Sequence, residues 1–134
     1  MINQVEDPIA LHVRRTDYIT NCDNHPPCPK EYYDEALSMF DSNRVVIIFS
    51  DDPEWCKQQP LFAGDGYIVS ENNDSGTDLC LMSMCNYHII ANSSMSWWGA
   101  WLAKSKHVVA PKNWFDSRQG VDTTDKYLPH WIRL

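Results

Sequence analysis

The chain has 134 residues, 43% hydrophobic and 22% charged, a composition typical of one globular domain, and we expect a single domain over residues 1–134. Its net charge of −7 argues against nonspecific nucleic-acid binding, which usually needs a basic protein. No apolar run approaches the length of a membrane span, and we expect no signal peptide in the first residues.

The first informative stretch is a short apolar run that ends in His12, Arg14, Arg15 and Asp17. Arginine presents a planar fork of donors that fits phosphate oxygens, and ligands of open α/β sheets bind outside the carboxyl ends of the strands. Two arginines at the end of a strand therefore predict a pocket for a phosphorylated ligand. An ion pair between one of these arginines and Asp17 is the alternative.

Predicted strands and helices alternate along the chain. The strand of residues 9–14 is followed by one at 44–50, whose continuous β-branched run is typical of a strand covered on both faces. Further strands are predicted at 67–69, 87–91 and 108–110, and helices at 30–40, at 53–59, from 77 or 78 and from about 96. Beyond Lys112 we expect loop and short helix packed over the sheet. This order predicts an α/β fold, a parallel sheet with helices on both faces.

The second informative stretch, Asn92, Ser93 and Ser94, joins a predicted strand to a helix. A helix N-terminus offers backbone N–H groups and the positive end of a dipole, so this junction can hold an anion. The alternative is that Ser94 or Ser96 only caps the helix. We expect the tryptophans of this helix in the core, with Gly99 allowing a close approach to the sheet.

Five cysteines without CxxC spacing favour reduced thiols in a reducing compartment. Cys22 and Cys28 flank a proline-rich loop, so a bridge or a metal site between them stays open. Cys80 and Cys85 follow a helical apolar pattern and are expected in the core.

Several known site motifs are absent. The chain has no GxGxxG, P-loop, Asp-x-Asp or G-x-S-x-G motif, and its other histidines show no ligand spacing. Asp51 and Asp52 can hold a cation, cap a helix or face a ligand, and the sequence leaves these alternatives open.

Four stretches resemble the family-11 glycosyltransferases, the alpha-1,2-fucosyltransferases, and above all their bacterial members. They are HVRRTDY at 12–18, FSDDPEW at 49–55, DLCLMS at 78–83 and NSSMSWWGAWL at 92–102, continued by APKNWF at 110–115. Because they occur in the family's order, the resemblance covers almost the whole chain.

The resemblance implies a Rossmann-like fold, like the donor-binding domain of a GT-B glycosyltransferase. It implies transfer of fucose from GDP-fucose to the 2-hydroxyl of a galactose-terminated glycan, with inversion and with no metal cofactor. Arg14 would bind the β-phosphate, with His12 and Arg15 supporting it, and Asp78 would accept hydrogen bonds from guanine. Asp17 and Asp23 are candidates for the base. The remaining substrate-binding residues would be Asp51, Asn92, Ser93 and Ser94.

Family members carry an N-terminal half before the HxRR motif, which begins here at residue 12. We therefore expect the acceptor-side domain to be absent and transfer to depend on a missing partner or on a homo-oligomer. A GDP-sugar-binding module that is inactive alone and a structural α/β domain are the alternatives. We expect a bacterial cytoplasmic protein, with peripheral association at the inner face of the membrane left open.

Overall fold

A computed structural model of the chain describes residues 8–15, 28–40, 44–112 and 127–134. Within these residues six parallel strands form one open sheet in the order β3-β2-β1-β4-β5-β6. The strands are β1 (Ile9–Val13), β2 (Val46–Ser50), β3 (Tyr67–Val69), β4 (Tyr87–Ile89), β5 (His107–Ala110) and β6 (Ile132–Arg133). The helices are α1 (Lys30–Ser38), α2 (Pro53–Lys57), α3 (Ser75–Ser83) and α4 (Ser94–Ala103), with a 3-10 turn at Pro60–Phe62. This architecture confirms the predicted α/β fold.

Strand β1 lies at the centre of the sheet, and all five of its residues are buried. It pairs with β2 on one side and β4 on the other, so that Ile9 is opposite both Val46 and Tyr87. On one side of the sheet the strands follow in the order β1, β2, β3, and on the other side in the order β4, β5, β6. The gap between β1 and β4 is therefore a topological switch point. Ligands of open α/β sheets bind at such a point, beyond the carboxyl ends of the strands.

Helices cover both faces of the sheet, and neighbouring residues of β1 point to opposite faces. Leu11 packs in a cluster with Tyr33 and Leu37 of α1, together with Cys56 of α2. Ala10 packs instead with Phe49, Met82 and Cys85, where Met82 belongs to α3. Both layers are thus anchored on the central strand.

Helix α4 packs tightly against α3, because Gly99 has no side chain at the contact. A Cβ atom at Gly99 would lie 2.9 Å from Cβ of Met82. The expectation that Gly99 brings the helix close to the sheet is therefore wrong, since the close approach is between two helices. Ser96 and Ala100 are buried on the same side of α4.

The tail of the chain corrects a second expectation. Residues 108–110 do not form the last strand, because Ile132 and Arg133 pair in parallel with β5. A two-residue strand is too short to leave a periodic pattern in the sequence. Trp131, just before it, is buried against Ile90 and Val108, so this part of the tail does pack on the sheet.

The structure also corrects two helix starts. Asp74 caps α3 by accepting the N–H of Thr77 at 2.7 Å, so the cap is neither Thr77 nor Asp78. Helix α4 begins at Ser94, two residues before the expected start. The start of α2 is confirmed, with Asp52 as its cap and Pro53 in its first turn.

Some of the cysteines and tryptophans expected in the core are buried, and others are exposed. Cys85 is buried as expected, but Cys80 is exposed, and Trp98 and Trp101 are each 47% exposed. Cys28 is a free thiol, and Cys22, its partner in the bridge or metal site left open by the sequence, lies outside the described residues. None of the described helices is both long and apolar enough to cross a bilayer.

His88 is a structural histidine, as its lack of ligand spacing suggested. Its Nε2 lies 2.7 Å from the Met82 carbonyl and its Nδ1 lies 2.8 Å from the Ser105 hydroxyl. Because a carbonyl can only accept, the neutral ring carries its proton on Nε2. Burial lowers the pKa of His88 to about 4, so the ring stays neutral near pH 7.

The Gly99 contact generates a stability prediction. Gly99→Ala gains roughly 1 kcal/mol of helix propensity but forces Cβ against Met82, an overpacking that costs about 1–3 kcal/mol. We expect a net loss of unfolding free energy in urea denaturation. Gly76→Ala in α3 is the matched control, since its Cβ would meet only Asp74 Oδ1 at 3.6 Å, and it should stabilise the chain. Equal stabilisation by both variants would contradict the tight α3–α4 contact.

Candidate functional site

The two informative stretches of the sequence meet at the switch point. Arg14 and Arg15 directly follow β1, and Asn92 and Ser93 follow β4, its neighbour in the sheet. The carboxyl ends of parallel neighbours lie at the same edge, roughly 5 Å apart. A pair of arginines thus stands beside the N-terminus of α4.

Arg14 is held by the next strand. Its Nη1 lies 3.4 Å from Oδ2 of Asp51, and 30% of the Arg14 side chain remains exposed to solvent. A carboxylate therefore orients the guanidinium of a side chain that is still partly exposed.

Arg15 is fixed from three directions. Its backbone N–H donates to Oδ1 of Asp51 at 2.9 Å, and its Nε lies 3.5 Å from Oδ2 of Asp52. Its guanidinium carbon lies 3.8 Å above the ring of Trp55, a cation–π contact. Arg15 is thus held by these three contacts, and its side chain is 22% exposed, against 30% for Arg14.

The sequence motifs do not predict these contacts of the two arginines. Asp51 and Asp52 are counter-charges of the arginines, and Trp55 stacks on Arg15, whereas Asp17 lies outside the described residues. The register between β1 and β2, with Val13 opposite Ser50, places Arg14 level with Asp51. That pairing of two strand ends, taken with charge complementarity, is the signal that could have found them.

His12 lies beneath the start of α4. By alternation it faces the same layer as Ala10, and its register partner is Phe49. Met95, in the first turn of α4, packs on the cluster that contains Ala10 and Phe49. The side chain of His12 therefore points into the core below the helix N-terminus.

His12 is only 4% exposed, and its Nδ1 has no hydrogen-bond partner. Burial lowers its pKa from 6.5 to about 4, Asp51 raises it and Arg14 lowers it. Near pH 7 the ring is neutral, so it adds a hydrogen-bonding nitrogen and no third positive charge. The backbone carbonyl of His12 accepts the hydroxyl of Tyr33 at 2.8 Å, which fixes this end of β1.

Three serines, Ser93, Ser94 and Ser96, lie at the N-terminus of α4 in different environments. Ser93 occupies the cap position, but its side chain makes no capping hydrogen bond. Ser94 is exposed, and Ser96 accepts the backbone N–H of Ala91 at 3.3 Å. The alternative in which Ser94 or Ser96 only caps the helix is wrong, because Ser93 occupies the cap position. Asn92 is buried and accepts a hydrogen bond from the Cys28 thiol at 3.6 Å, which links β4 to the segment before α1.

Asp78 lies apart from the arginines. It is buried in the first turn of α3 and accepts the hydroxyl of Ser70, beyond β3, at 3.0 Å. Burial raises its pKa above the ordinary value of 3.8. Since β3 is two strands from β1, Asp78 stands roughly 10 Å along the same edge of the sheet.

The candidates for the base, Asp17 and Asp23, lie outside the described residues. Within the described part of the chain, no group of three or more His, Cys, Asp or Glu side chains could hold a metal ion. Asp51 and Asp52, the acidic pair considered for a cation, face the arginines instead.

The sequence profile described as "Glycosyl transferase family 11" matches residues 1–134. The chain belongs to glycosyltransferase family 11. No solved structure matches it. Membership confirms the resemblance carried by the four motifs.

Among curated relatives, this family-11 chain is 37% identical over 137 residues to an alpha-1,2-colitosyltransferase of Escherichia coli, covering 94% of the chain and 47% of the relative. It is 39% identical over 135 residues to the O-antigen biosynthesis glycosyltransferase WbnK of the same species, covering 93% and 44%. The galactoside 2-alpha-L-fucosyltransferase Sec1 of Mus musculus is 26% identical, covering 94% and 38%. The chain thus spans less than half the length of these relatives.

The neutral state of His12 generates a pH prediction. The folded ring takes up a proton only near pH 4, whereas the unfolded one does so near pH 6.5, so stability is full above that range and falls as pH drops. Between pH 7 and pH 5 we expect a loss of roughly 2 kcal/mol for each of the two buried histidines. His12→Asn should remove the part of the loss that is due to His12, about half of the combined loss, and His88→Asn should remove a similar part. Urea unfolding at the two pH values measures both. An unchanged pH dependence in His12→Asn would contradict a neutral His12.

Proposed function

We propose that the chain forms the donor-binding side of a galactoside alpha-1,2-fucosyltransferase, which transfers fucose from GDP-fucose to the 2-hydroxyl of a galactose-terminated glycan. The observation that carries the proposal is the position of Arg14 beside the N-terminus of α4 at the switch point. A guanidinium and a helix N-terminus both favour a diphosphate, and both stabilise the charge that grows on a nucleotide as it leaves.

Arg14 and the residues around it have different roles in the proposed donor site. Arg14 binds the β-phosphate through its donor fork, and Asp51 orients the guanidinium. Arg15 and Trp55 support this edge, and the hydroxyls of Ser93 and Ser94 donate to phosphate at the helix N-terminus. Asp17 is proposed as the catalytic base, by its place in the HxRRxDY motif.

His12 contributes through its neutral ring. The ring is buried below the start of α4, so we propose that it supports the pyrophosphate side of the site from beneath, without a charge of its own. The arginines and the helix N-terminus supply the countercharge that a metal supplies in other transferases, so we propose that no resident metal is needed.

Asp78 is proposed to read the base. Guanine presents two adjacent N–H donors that one carboxylate can accept together, and adenine offers no such pair. Its place along the same edge of the sheet supports this role, because a nucleoside diphosphate can span from the arginines to Asp78. The carboxylate already accepts one hydroxyl, from Ser70, and keeps further lone pairs for a ligand.

The second candidate donor carries colitose in place of fucose, because the relative named alpha-1,2-colitosyltransferase is 37% identical to this chain. GT-B architecture, an acceptor-side domain outside this chain and a cytoplasmic location at the inner face of a bacterial membrane are further parts of the proposal. The free thiols of Cys28, Cys56, Cys80 and Cys85 support a reducing compartment.

The proposal is tested by calorimetry of GDP, GDP-fucose and UDP with the purified chain, in the presence and absence of EDTA. We expect GDP and GDP-fucose to bind, UDP to bind more weakly, and EDTA to have no effect. Fucose transfer to lactose, assayed in parallel, separates an active enzyme from a donor-binding module. Absence of GDP binding would favour the structural α/β domain, and loss of affinity in EDTA would contradict metal-independent binding.

Arg14→Lys is predicted to weaken GDP binding. Lysine keeps the positive charge but loses the bidentate fork, so the affinity should fall on the order of tenfold, measured by calorimetry. Arg44→Lys is the matched control, because Arg44 precedes β2, at the opposite edge of the sheet, and donates to the hydroxyl of Tyr67. GDP binding that is unchanged in Arg14→Lys and lost in Arg44→Lys would move the site away from the switch point.

Asp78→Ala is predicted to narrow the preference for GDP over ADP. Guanine donors left without an acceptor cost roughly 1–3 kcal/mol, which corresponds to about 5- to 150-fold in relative affinity. Ser70→Ala is the matched control, since it removes the hydroxyl bound to Asp78 and keeps the carboxylate. If both variants retain the full preference in competition binding, another group reads the base.

A further inference from the structure

The outer face of α4 exposes an unusual set of apolar side chains. Trp98 and Trp101 are each 47% exposed and Leu102 is 51% exposed. Spacings of three and four residues place them on one side of the helix, opposite the buried Ser96, Gly99 and Ala100. We call Trp97, Trp98, Trp101 and Leu102, with Lys104 and Lys106 just beyond them, the tryptophan surface.

Aromatic contacts hold the indoles of the tryptophan surface in place. Trp97 meets Trp98 edge-on at 4.9 Å between ring centroids and stacks on Trp101 at 6.4 Å. It also meets Trp131, a buried residue of the tail, at 6.1 Å. The exposed rings are therefore ordered before any partner binds, which reduces the entropy cost of docking.

A groove of about 430 Å³ runs beside these rings, between the end of α4 and the tail. Trp101, Leu102 and Lys104 line one wall, and Leu128, His130 and Trp131 line the other. The lining is mostly apolar with a basic group at its edge, which suits an apolar chain attached to an anionic group.

Charge is distributed unevenly around the tryptophan surface. Residues 79–112 and 127–134 contain no aspartate or glutamate, but they carry Lys104, Lys106, Lys112 and Arg133. The chain as a whole has a net charge of −7. This part of the described structure is thus locally basic on an acidic protein, which favours an anionic partner.

We propose that the tryptophan surface docks the protein on a bilayer that contains anionic phospholipid. Indole rings favour the interface between lipid headgroups and acyl chains, and lysine side chains reach phosphate groups from there. This inference deepens the peripheral location in the proposed function, and it does not depend on the identity of the donor.

A second copy of the chain fits this surface less well. A two-fold symmetric contact would set the tryptophan surface against itself and bring Lys104 and Lys106 towards their own copies, with no acidic residue from the described part of this region to pair with them. A phospholipid surface supplies both the apolar layer and the negative charge.

Docking through α4 has a geometric consequence. The helix is roughly 15 Å long, and its N-terminus belongs to the candidate site. A helix that lies along the bilayer surface keeps that site within reach of the headgroup layer, so a glycan carried on a lipid can approach it.

The test is flotation of the full chain with vesicles of phosphatidylcholine alone, or mixed with phosphatidylglycerol, at low and at high salt. We expect binding to the mixed vesicles that weakens with salt, and little binding to phosphatidylcholine. Lys104→Gln with Lys106→Gln should lower the partition coefficient by roughly fivefold for each lysine removed. Trp98→Ser with Trp101→Ser should lower it by more than tenfold.

The controls separate the tryptophan surface from general surface effects. Lys57→Gln removes a lysine that pairs with Glu54 and Glu71, and Ile68→Ser removes an exposed apolar residue of β3. Both should leave vesicle binding unchanged. GDP affinity of each variant is measured in the same preparation, so loss of the proposed donor site is distinguished from loss of membrane docking.

Two outcomes would overturn the proposal. The first is absence of binding to the mixed vesicles at low salt. The second is concentration-dependent dimerisation in sedimentation, removed by the tryptophan variant, without vesicle binding, which would assign this face to a second copy. Because the lysine variant alters exposed side chains only, it keeps the test decisive even where the tryptophan variant fails to fold.

Discussion

The ion pairs between the arginines after β1 and the aspartates after β2 are the interaction on which the site depends. Two guanidiniums at the end of a buried strand repel each other and need counter-charges. Asp51 contacts both Arg14 and the backbone of Arg15, and Asp52 contacts Arg15 while it also caps α2. Asp51 therefore joins the two arginines in one network, which orients the proposed phosphate site.

Strand β1, which carries the arginines at its end, also anchors the helices on both faces of the sheet. Ala10 and Leu11 anchor opposite helical layers, and Met82, above Ala10, fills the gap left by Gly99 in α4. The start of α4 is fixed further by Ser96, which bonds to the end of β4. His12, just below, is neutral because it is buried, so the strand end carries no additional charge. The helix N-terminus and the arginines are thus positioned by one continuous packed unit.

Much of the fold could be predicted from the chain, because continuous β-branched runs mark central strands without tertiary information. The partners of the arginines could not, since they depend on the register between two strands far apart in sequence. The cap of α3 was ambiguous because Asp74, Thr77 and Asp78 are all good caps within one turn. For α4 an apolar composition on all sides hid which face is buried. The buried face is marked by its small residues, Ser96, Gly99 and Ala100, which allow close packing against α3.

The distribution of charge makes the proposed anionic ligand compatible with an acidic protein. All but three of the acidic residues precede Leu79, and the helix that points its N-terminus at the site lies in the acid-free segment that follows. Arg14 and the positive end of the α4 dipole lie together at the switch point, where they offset the charges of Asp51 and Asp52. The same asymmetry leaves the tryptophan surface basic. One separation of charge along the sequence thus favours both proposals, a nucleotide at the N-terminus of α4 and a phospholipid surface against its outer face.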